Sequence, residues 1–223
     1  MTANVKQVLD KIYNDNIFND ELYFIGGTAL SYYLNHRVSE DIDIVCSKAL
    51  PYKNIIPSML KLGATKLQDD NVTALRMAGL FPDEYMIKFV FDNVKLEFFQ
   101  ANRLIQQEIL SSATFTNYEN SKLKILDVKS VAKLKIVALI MRDKSRDLFD
   151  FGSILDNKIL SNKDIINLFS KIKSDIQNIT DIINFIKSKK EPADDESVYL
   201  SEKDRVDLNF EEIKEQVVIS LKN

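Results

Sequence analysis

The chain is 223 residues long, 45% apolar and 28% charged, with 30 basic against 33 acidic side chains, a net charge of −3 and a pI near 5.4. These values suit one or two small domains with true cores and exclude both a wholly disordered chain and a generally basic coat for nucleic acid. The longest apolar run, Ile136 to Met141, is six residues, far short of the about 20 that cross a bilayer, and the opening MTANVKQVLDKIYND lacks an apolar signal core.

Val5, Val8, Leu9, Ile12 and Tyr13 recur at helical spacing, so residues 4–14 are predicted to form an amphipathic helix. Leu22 to Ile25 reads as a buried strand stopped by Gly26-Gly27. Thr28 to Asn35 follows as a helix that packs through Ala29, Leu30, Tyr33 and Leu34. Asp41 to Val45 alternates acid and aliphatic, which is strand periodicity. Ile55 to Leu62 is a short helix after Pro51. Residues 64–100 read as an antiparallel run, with strands at Lys66 to Gln68, Val72 to Met77, Tyr85 to Phe91 and Val94 to Phe99, and a tight turn at Asp92-Asn93. Beyond residue 125 the spacing turns helical at Val128 to Met141, Asp147 to Leu155, Asp164 to Ile172 and Asp175 to Ile186, with Ser130 and Ser174 as cap-region residues. Glu191 to Asp207 reads as an exposed acidic loop, and Asn209 to Leu221 as a last helix.

The expected fold is α+β: an α/β-like mixed-sheet domain over residues 1–120, then an α-helical domain over residues 121–223. Charge divides along the same line. Residues 121–190 carry 15 Lys or Arg against 8 Asp or Glu, and residues 191–215 carry 3 against 10. The first segment is either a set of solvated helix faces or a phosphate-attracting surface. The single cysteine, Cys46, and single histidine, His36, exclude a disulfide framework and a Cys- or His-rich metal centre, and a reducing cytoplasm is the expected location.

The chemistry concentrates between Phe24 and Val45. A strand ends in Gly26-Gly27 and a helix starts at once. Helix N-termini offer unpaired N–H groups, and glycine lets a phosphate approach the backbone. Asp41 and Asp43 sit two apart on a strand, so both carboxylates share one face while Ile42 and Ile44 face the core. Like charges so placed repel unless a cation lies between them, and hard oxygen ligands suit Mg2+. Glu97 lies in an apolar strand, with Leu96 and Phe98 facing the other way. Taken singly, each feature has a plainer explanation: a turn, an edge strand, a surface acid. Their order and spacing together point to a two-metal nucleotidyl-transfer site with Asp41, Asp43 and Glu97 as metal ligands.

Gly26-Gly-Thr-Ala-Leu30, followed by His36-Arg-Val-Ser-Glu-Asp-Ile-Asp43, resembles the opening motif of the AbiEii/AbiGii-type nucleotidyltransferase toxins, within the DNA polymerase β-like superfamily. Lys135-Ile-Val-Ala-Leu-Ile-Met-Arg142 and Arg146-Asp-Leu-Phe-Asp150 are similar to that family's later motif. The resemblance implies that Gly26, Gly27 and Thr28 cradle the triphosphate of an NTP. It implies that Asp41 and Asp43 bind two Mg2+ ions and that Glu97 completes the site. It implies that Lys135 reaches the nucleotide phosphates, and that Asp147 or Asp150 is a helical-domain acid needed for activity. On this view the helical domain completes the nucleotide and acceptor cleft. Lys135 and Arg142 are seven apart and share a helix face, which suits a phosphate clamp whose charges find a partner when nucleotide binds. The alternative is that Arg146, Asp147 and Asp150 form a local ion-pair cluster. Arg37 either contacts phosphate or pairs with Glu40 or Asp41. The acceptor implied is RNA, tRNA in particular, and an antitoxin protein is the implied partner. A small-molecule nucleotidyltransferase and a non-catalytic nucleotide-binding module are the rival readings.

Overall fold

A computed structural model describes residues 1–19, 21–68, 72–193, 198–201, 204–206 and 208–222. The chain divides into two compact units, Met1–Ala29 with Ser39–Asp127 and Leu30–Val38 with Val128–Asn223. The division after Asp127, where residue 120 was expected, arises because two strands that the periodicity did not reveal, β6 (Phe115–Asn117) and β7 (Lys124–Leu126), join the sheet. The segment Leu30–Val38 belongs to the helical unit.

The first unit opens with α1 (Ala3–Ile12), capped by the Thr2 hydroxyl, which accepts the Val5 N–H at 3.2 Å. Val5, Val8, Leu9 and Ile12 form its fully buried stripe. Next come β1 (Leu22–Ile25), β2 (Asp41–Cys46), α3 (Tyr52–Leu62) and β3 (Thr65–Lys66). Between β1 and β2 runs α2 (Gly26–Leu34), whose first four residues belong to this unit. Then follow α4 (Val72–Met77), β4 (Met86–Phe91), β5 (Val94–Gln100) and α5 (Leu104–Ser112), the last not foreseen. The strand expected at Val72 to Met77 is helix α4. A six-residue apolar segment is ambiguous by periodicity, and Ala, Leu, Arg and Met favour helix.

The seven strands form one mixed sheet in the order β3-β4-β5-β2-β1-β7-β6. β1 and β2 are antiparallel, whereas β2 runs parallel to β5 and β1 to β7. The β4–β5 hairpin turns on Asp92 and Asn93, both at positive φ (47° and 63°), the left-handed pair that a two-residue hairpin needs. Ile42, Ile44, Leu96 and Phe98 are fully buried on one sheet face, and Phe89 meets Phe98 edge-on at 6.0 Å.

The second unit contains α6 (Val128–Met141), α7 (Ser145–Asp156), α8 (Asn162–Ile172), α9 (Ile179–Ser188) and α10 (Phe210–Ser220). Helix α6 buries residues all round its circumference, Lys135 included, which marks it as the central helix of the unit. Ser161, Asn178 and Asn209 cap α8, α9 and α10, each in a reciprocal box with Asp164, Asp181 and Glu212. The cap of α9 is thus Asn178, so that helix starts four residues later than expected from Asp175. Ser130 lies in the first turn of α6. Within the expected acidic loop, Tyr199–Ser201 and Asp204–Arg205 pair as a short hairpin, β8 and β9. Its Asp194, Asp195, Glu196, Glu202 and Asp207 lie outside the described residues. Among the described residues no helix is long and apolar enough to cross a membrane.

Candidate active site

In the first unit the acids are gathered by strand register. The parallel β2–β5 ladder places Asp43 beside Glu97 and Asp41 beside Lys95, while Ile42 and Ile44 pair with Leu96 and Phe98 toward the core. Asp41, Asp43 and Glu97 therefore share one sheet face. On the other side of β2, the antiparallel pairing sets Ile25 opposite Asp43. The next residue, Gly26, has φ +83° and lies directly against the Asp43 side chain. A Cβ built on Gly26 would stand 2.0 Å from Asp43 Oδ2 and 2.9 Å from its Cβ. Glycine is required here twice over, by the left-handed backbone and by the carboxylate pressed against it. This junction brings the N-terminus of α2 to the acidic strand.

Thr28 is fully buried. Its hydroxyl donates to the Asp41 carbonyl oxygen and shares a 2.9 Å hydrogen bond with the Ser39 hydroxyl. Thr28 thus ties the start of α2 to the start of β2, where the family resemblance implied a phosphate contact.

Two lysines that the sequence reading passed over stand among the acids. Lys95 Nζ lies 2.9 Å and Lys88 Nζ 3.4 Å from Glu97 Oε1. Burial works against the Lys95 ammonium. The hydrogen bond to Glu97 and the charges of Glu97, Asp41 and Asp43 outweigh it and raise its pKa. Both lysines were legible in principle. Lys95 is two before Glu97 and so on its face, and the Asp92-Asn93 turn dictates the Lys88–Glu97 pairing. Among the described residues no group of three or more His, Cys, Asp or Glu side chains is arranged to hold a metal ion. By donor chemistry Asp41 and Asp43 fit a hard divalent cation. Glu97 Oε1, the oxygen both lysines approach, could join them only by releasing those lysines.

In the second unit, four charged or polar side chains close on two buried aspartates. Arg37 grips Asp150 with both ends of its guanidinium, Nε to Oδ1 at 2.6 Å and Nη2 to Oδ2 at 3.0 Å. His36 Nε2 lies 2.6 Å from the same Oδ1. Lys135 Nζ bridges Asp147 Oδ1 (2.8 Å) and Asp150 Oδ2 (2.6 Å). Arg142 holds Asp147 through Nε at 2.6 Å and Nη2 at 3.2 Å. Asp147 and Asp150 are 1% and 0% exposed. Burial favours their neutral forms. Against it, the charges of Arg37 and Lys135 and the bonds from His36 and Arg37 hold Asp150 well below the usual carboxylate range. Lys135 and Arg142 likewise lower Asp147. Burial also opposes the Lys135 ammonium, yet the charges of Asp150 and Asp147 keep its pKa raised.

This arrangement corrects one expectation. The Lys135 charge does not wait for a nucleotide to find a partner, because two carboxylates already hold it inside the unit. Arg37 meets Asp150, 113 residues away, a partner that no local pattern indicates. Of the residues expected at the site, Gly26, Gly27, Thr28, Asp41, Asp43 and Glu97 belong to the first unit, and Arg37, Lys135, Arg142 and Asp147 to the second.

Comparison with known proteins accords with this layout. A family model described as "Nucleotidyl transferase AbiEii toxin, Type IV TA system" matches residues 7–216. Over 150 residues the chain is 25% identical to an uncharacterized protein of Aquifex aeolicus (strain VF5), covering 67% of this chain and 65% of that one. It thus spans just under two thirds of the length of that curated relative. Among solved structures, JHP933 from Helicobacter pylori aligns over 97% of this chain and 88% of its own, at 17% identity and a TM-score of 0.51. MenT4, a nucleotidyltransferase toxin from Mycobacterium tuberculosis H37Rv, aligns over 98% and 81%, at 12% identity and a TM-score of 0.51. At such identities the likeness is one of fold.

Proposed function

The chain belongs to the AbiEii nucleotidyltransferase toxin family, and we propose that it transfers a nucleoside monophosphate from an NTP to an RNA acceptor, tRNA in particular. An acceptor hydroxyl oxygen forms the new bond to the α-phosphorus, the bond to the β-phosphate breaks, and pyrophosphate leaves. The observation that carries this reading is the junction of Gly26 with Asp43, which sets the N-terminus of α2 against a strand whose Asp41 and Asp43 share a face with Glu97. The α2 amides are suited to receive phosphate oxygens. Asp41 and Asp43, with Glu97 as third ligand, are the groups to hold two Mg2+ ions, which when bound supply charge neutralisation of the triphosphate and a lowered pKa for the attacking hydroxyl. Thr28 keeps Asp41 in place through the strand backbone. Lys135, Arg142 and Asp147 are assigned to the same reaction on the family resemblance. Their mutual ion pairs add a second duty, holding the helical unit together. A cognate antitoxin and a cytoplasmic setting belong to the same proposal.

The test is incubation of the full chain with each labelled NTP, Mg2+ and total tRNA. Label on the RNA that requires both Mg2+ and Asp43 supports the reading. Label only on small-molecule hydroxyls would replace RNA as the acceptor. No transfer from any NTP to either class would overturn it.

A further inference from the structure

The carboxylate face of the first unit carries its own cation. Asp43 and Glu97 are register neighbours on adjacent strands, about 4.8 Å apart at the backbone, and Asp41 is one pleat away. Three carboxylates on one sheet face at neighbouring register positions repel each other unless something positive stands with them. Lys95 pairs in register with Asp41 and lies two residues before Glu97, so its ammonium rises on that same face, 2.9 Å from Glu97 Oε1. Lys88 approaches the same oxygen more loosely, at 3.4 Å.

We propose that Lys95 is the resident counter-ion of the Asp41, Asp43 and Glu97 carboxylates, a positioning residue that occupies the charge a divalent cation would supply and must free Glu97 Oε1 before that oxygen can join Asp41 and Asp43 on one. This inference rests on the nucleotidyl-transfer reading and adds a regulatory element to it. Lys95 is suited to the task because its side chain is 45% exposed and ends in a point charge on a flexible stem, so it can swing away without moving β5. A bare divalent ion must displace the ammonium unaided and therefore binds weakly. An ion arriving on a triphosphate brings the anion on which the displaced ammonium can settle. The cluster then accepts metal mainly together with nucleotide, and its acids stay compensated when neither is present.

The experiment measures Mn2+ binding to the full chain by electron paramagnetic resonance or calorimetry, without nucleotide, for wild type, K95M, K95R and K88M. Exposed charge pairs typically shift an equilibrium by up to about fivefold, and a doubly charged ion feels twice that free energy, which squares the factor to at most about 25-fold. K95M is expected to bind Mn2+ about tenfold more tightly than wild type. K95R, which keeps the charge, is expected to bind like wild type, and K88M to change less than K95M. In metal-free buffer K95M is expected to melt below wild type, with Mn2+ restoring the difference. Mn2+ affinity in K95M equal to or weaker than wild type would overturn the counter-ion role while leaving the reaction assignment intact. Metal binding by neither protein, with or without NTP, would remove the nucleotidyl-transfer reading and this inference together. D43N in the K95M background supplies the control: it should abolish the tightened site, and its failure to do so would place the Mn2+ elsewhere and also refute the proposal.

Discussion

Asp150→Asn tests the buried cluster most directly. The change keeps the size of the side chain and removes one charge from a residue that is 0% exposed. It leaves Arg37, itself only 4% exposed, without its bidentate carboxylate, and takes one of two partners from Lys135. Breaking a buried pair by removing one partner costs about 3–5 kcal/mol, because the remaining charge stays desolvated. For a chain of this size each kcal/mol lowers Tm by about 2–4 °C, so the expected fall is about 6–20 °C. Circular dichroism melts at neutral pH, read against wild type, measure it. The pH dependence supplies a second reading. The Asp150 pKa in the folded protein lies well below the ordinary 3.8. Its contribution is therefore fully present above that ordinary value and is lost as pH falls through the depressed folded one. Wild type should lose this increment of stability only below about pH 4. Asp150→Asn should already lack it at neutral pH and show a correspondingly flatter acid limb. A melt within about 2 °C of wild type, with an unchanged acid limb, would show that the cluster does not support the fold as the geometry implies.

Asp43→Asn should leave the melt nearly intact and slow transfer by about 10²–10³ in single-turnover assays; near-normal turnover would remove Asp43 from the site. Gly26→Ala forces a Cβ to 2.0 Å from the Asp43 carboxylate at φ +83°, so both transfer and Tm should fall, the backbone strain alone costing about 1–3 kcal/mol; wild-type behaviour in both would contradict the close approach. Lys135→Ala should destabilise by at least about 2 kcal/mol in thermal melts, since Asp147 and Asp150 lose a shared partner. If the melt is unchanged and only NTP binding weakens, Lys135 serves nucleotide alone.

The elements that periodicity placed well are those with local causes. Helix α6 coincides with its predicted span, Val128 to Met141, because a long apolar segment of good helix formers has no competing period. The β4–β5 hairpin was legible from Asp92-Asn93, since only that left-handed pair closes the turn. The three acids shared a face as expected because the period of a strand is two. Segments too short to carry a period misled: Val72 to Met77 reads as a strand yet folds as α4, and β6 and β7 are three residues each.

What no local pattern contains is who meets whom. Parallel pairing of β2 with β5 makes Asp43 and Glu97 neighbours across 54 positions, and it puts Lys95 among the acids it compensates. The buried aspartates are the clearest case. The sequence reading weighed Lys135 as a clamp for nucleotide, and Asp147 and Asp150 either as acids needed for activity or as a local ion-pair cluster with Arg146, because from spacing alone a charged helix residue is assumed to seek water or ligand. Packing the segment Leu30–Val38 into the helical unit brings Arg37 and His36 to Asp150. Buried carboxylates accept those cations because desolvation makes an unpaired charge far costlier inside the unit than on its surface. Residue type and spacing were enough to name the chemistry, since they follow from bond geometry along one strand or one helix. Partners were decided only when distant segments came together, since charge compensation depends on distance in space and on the water excluded around it.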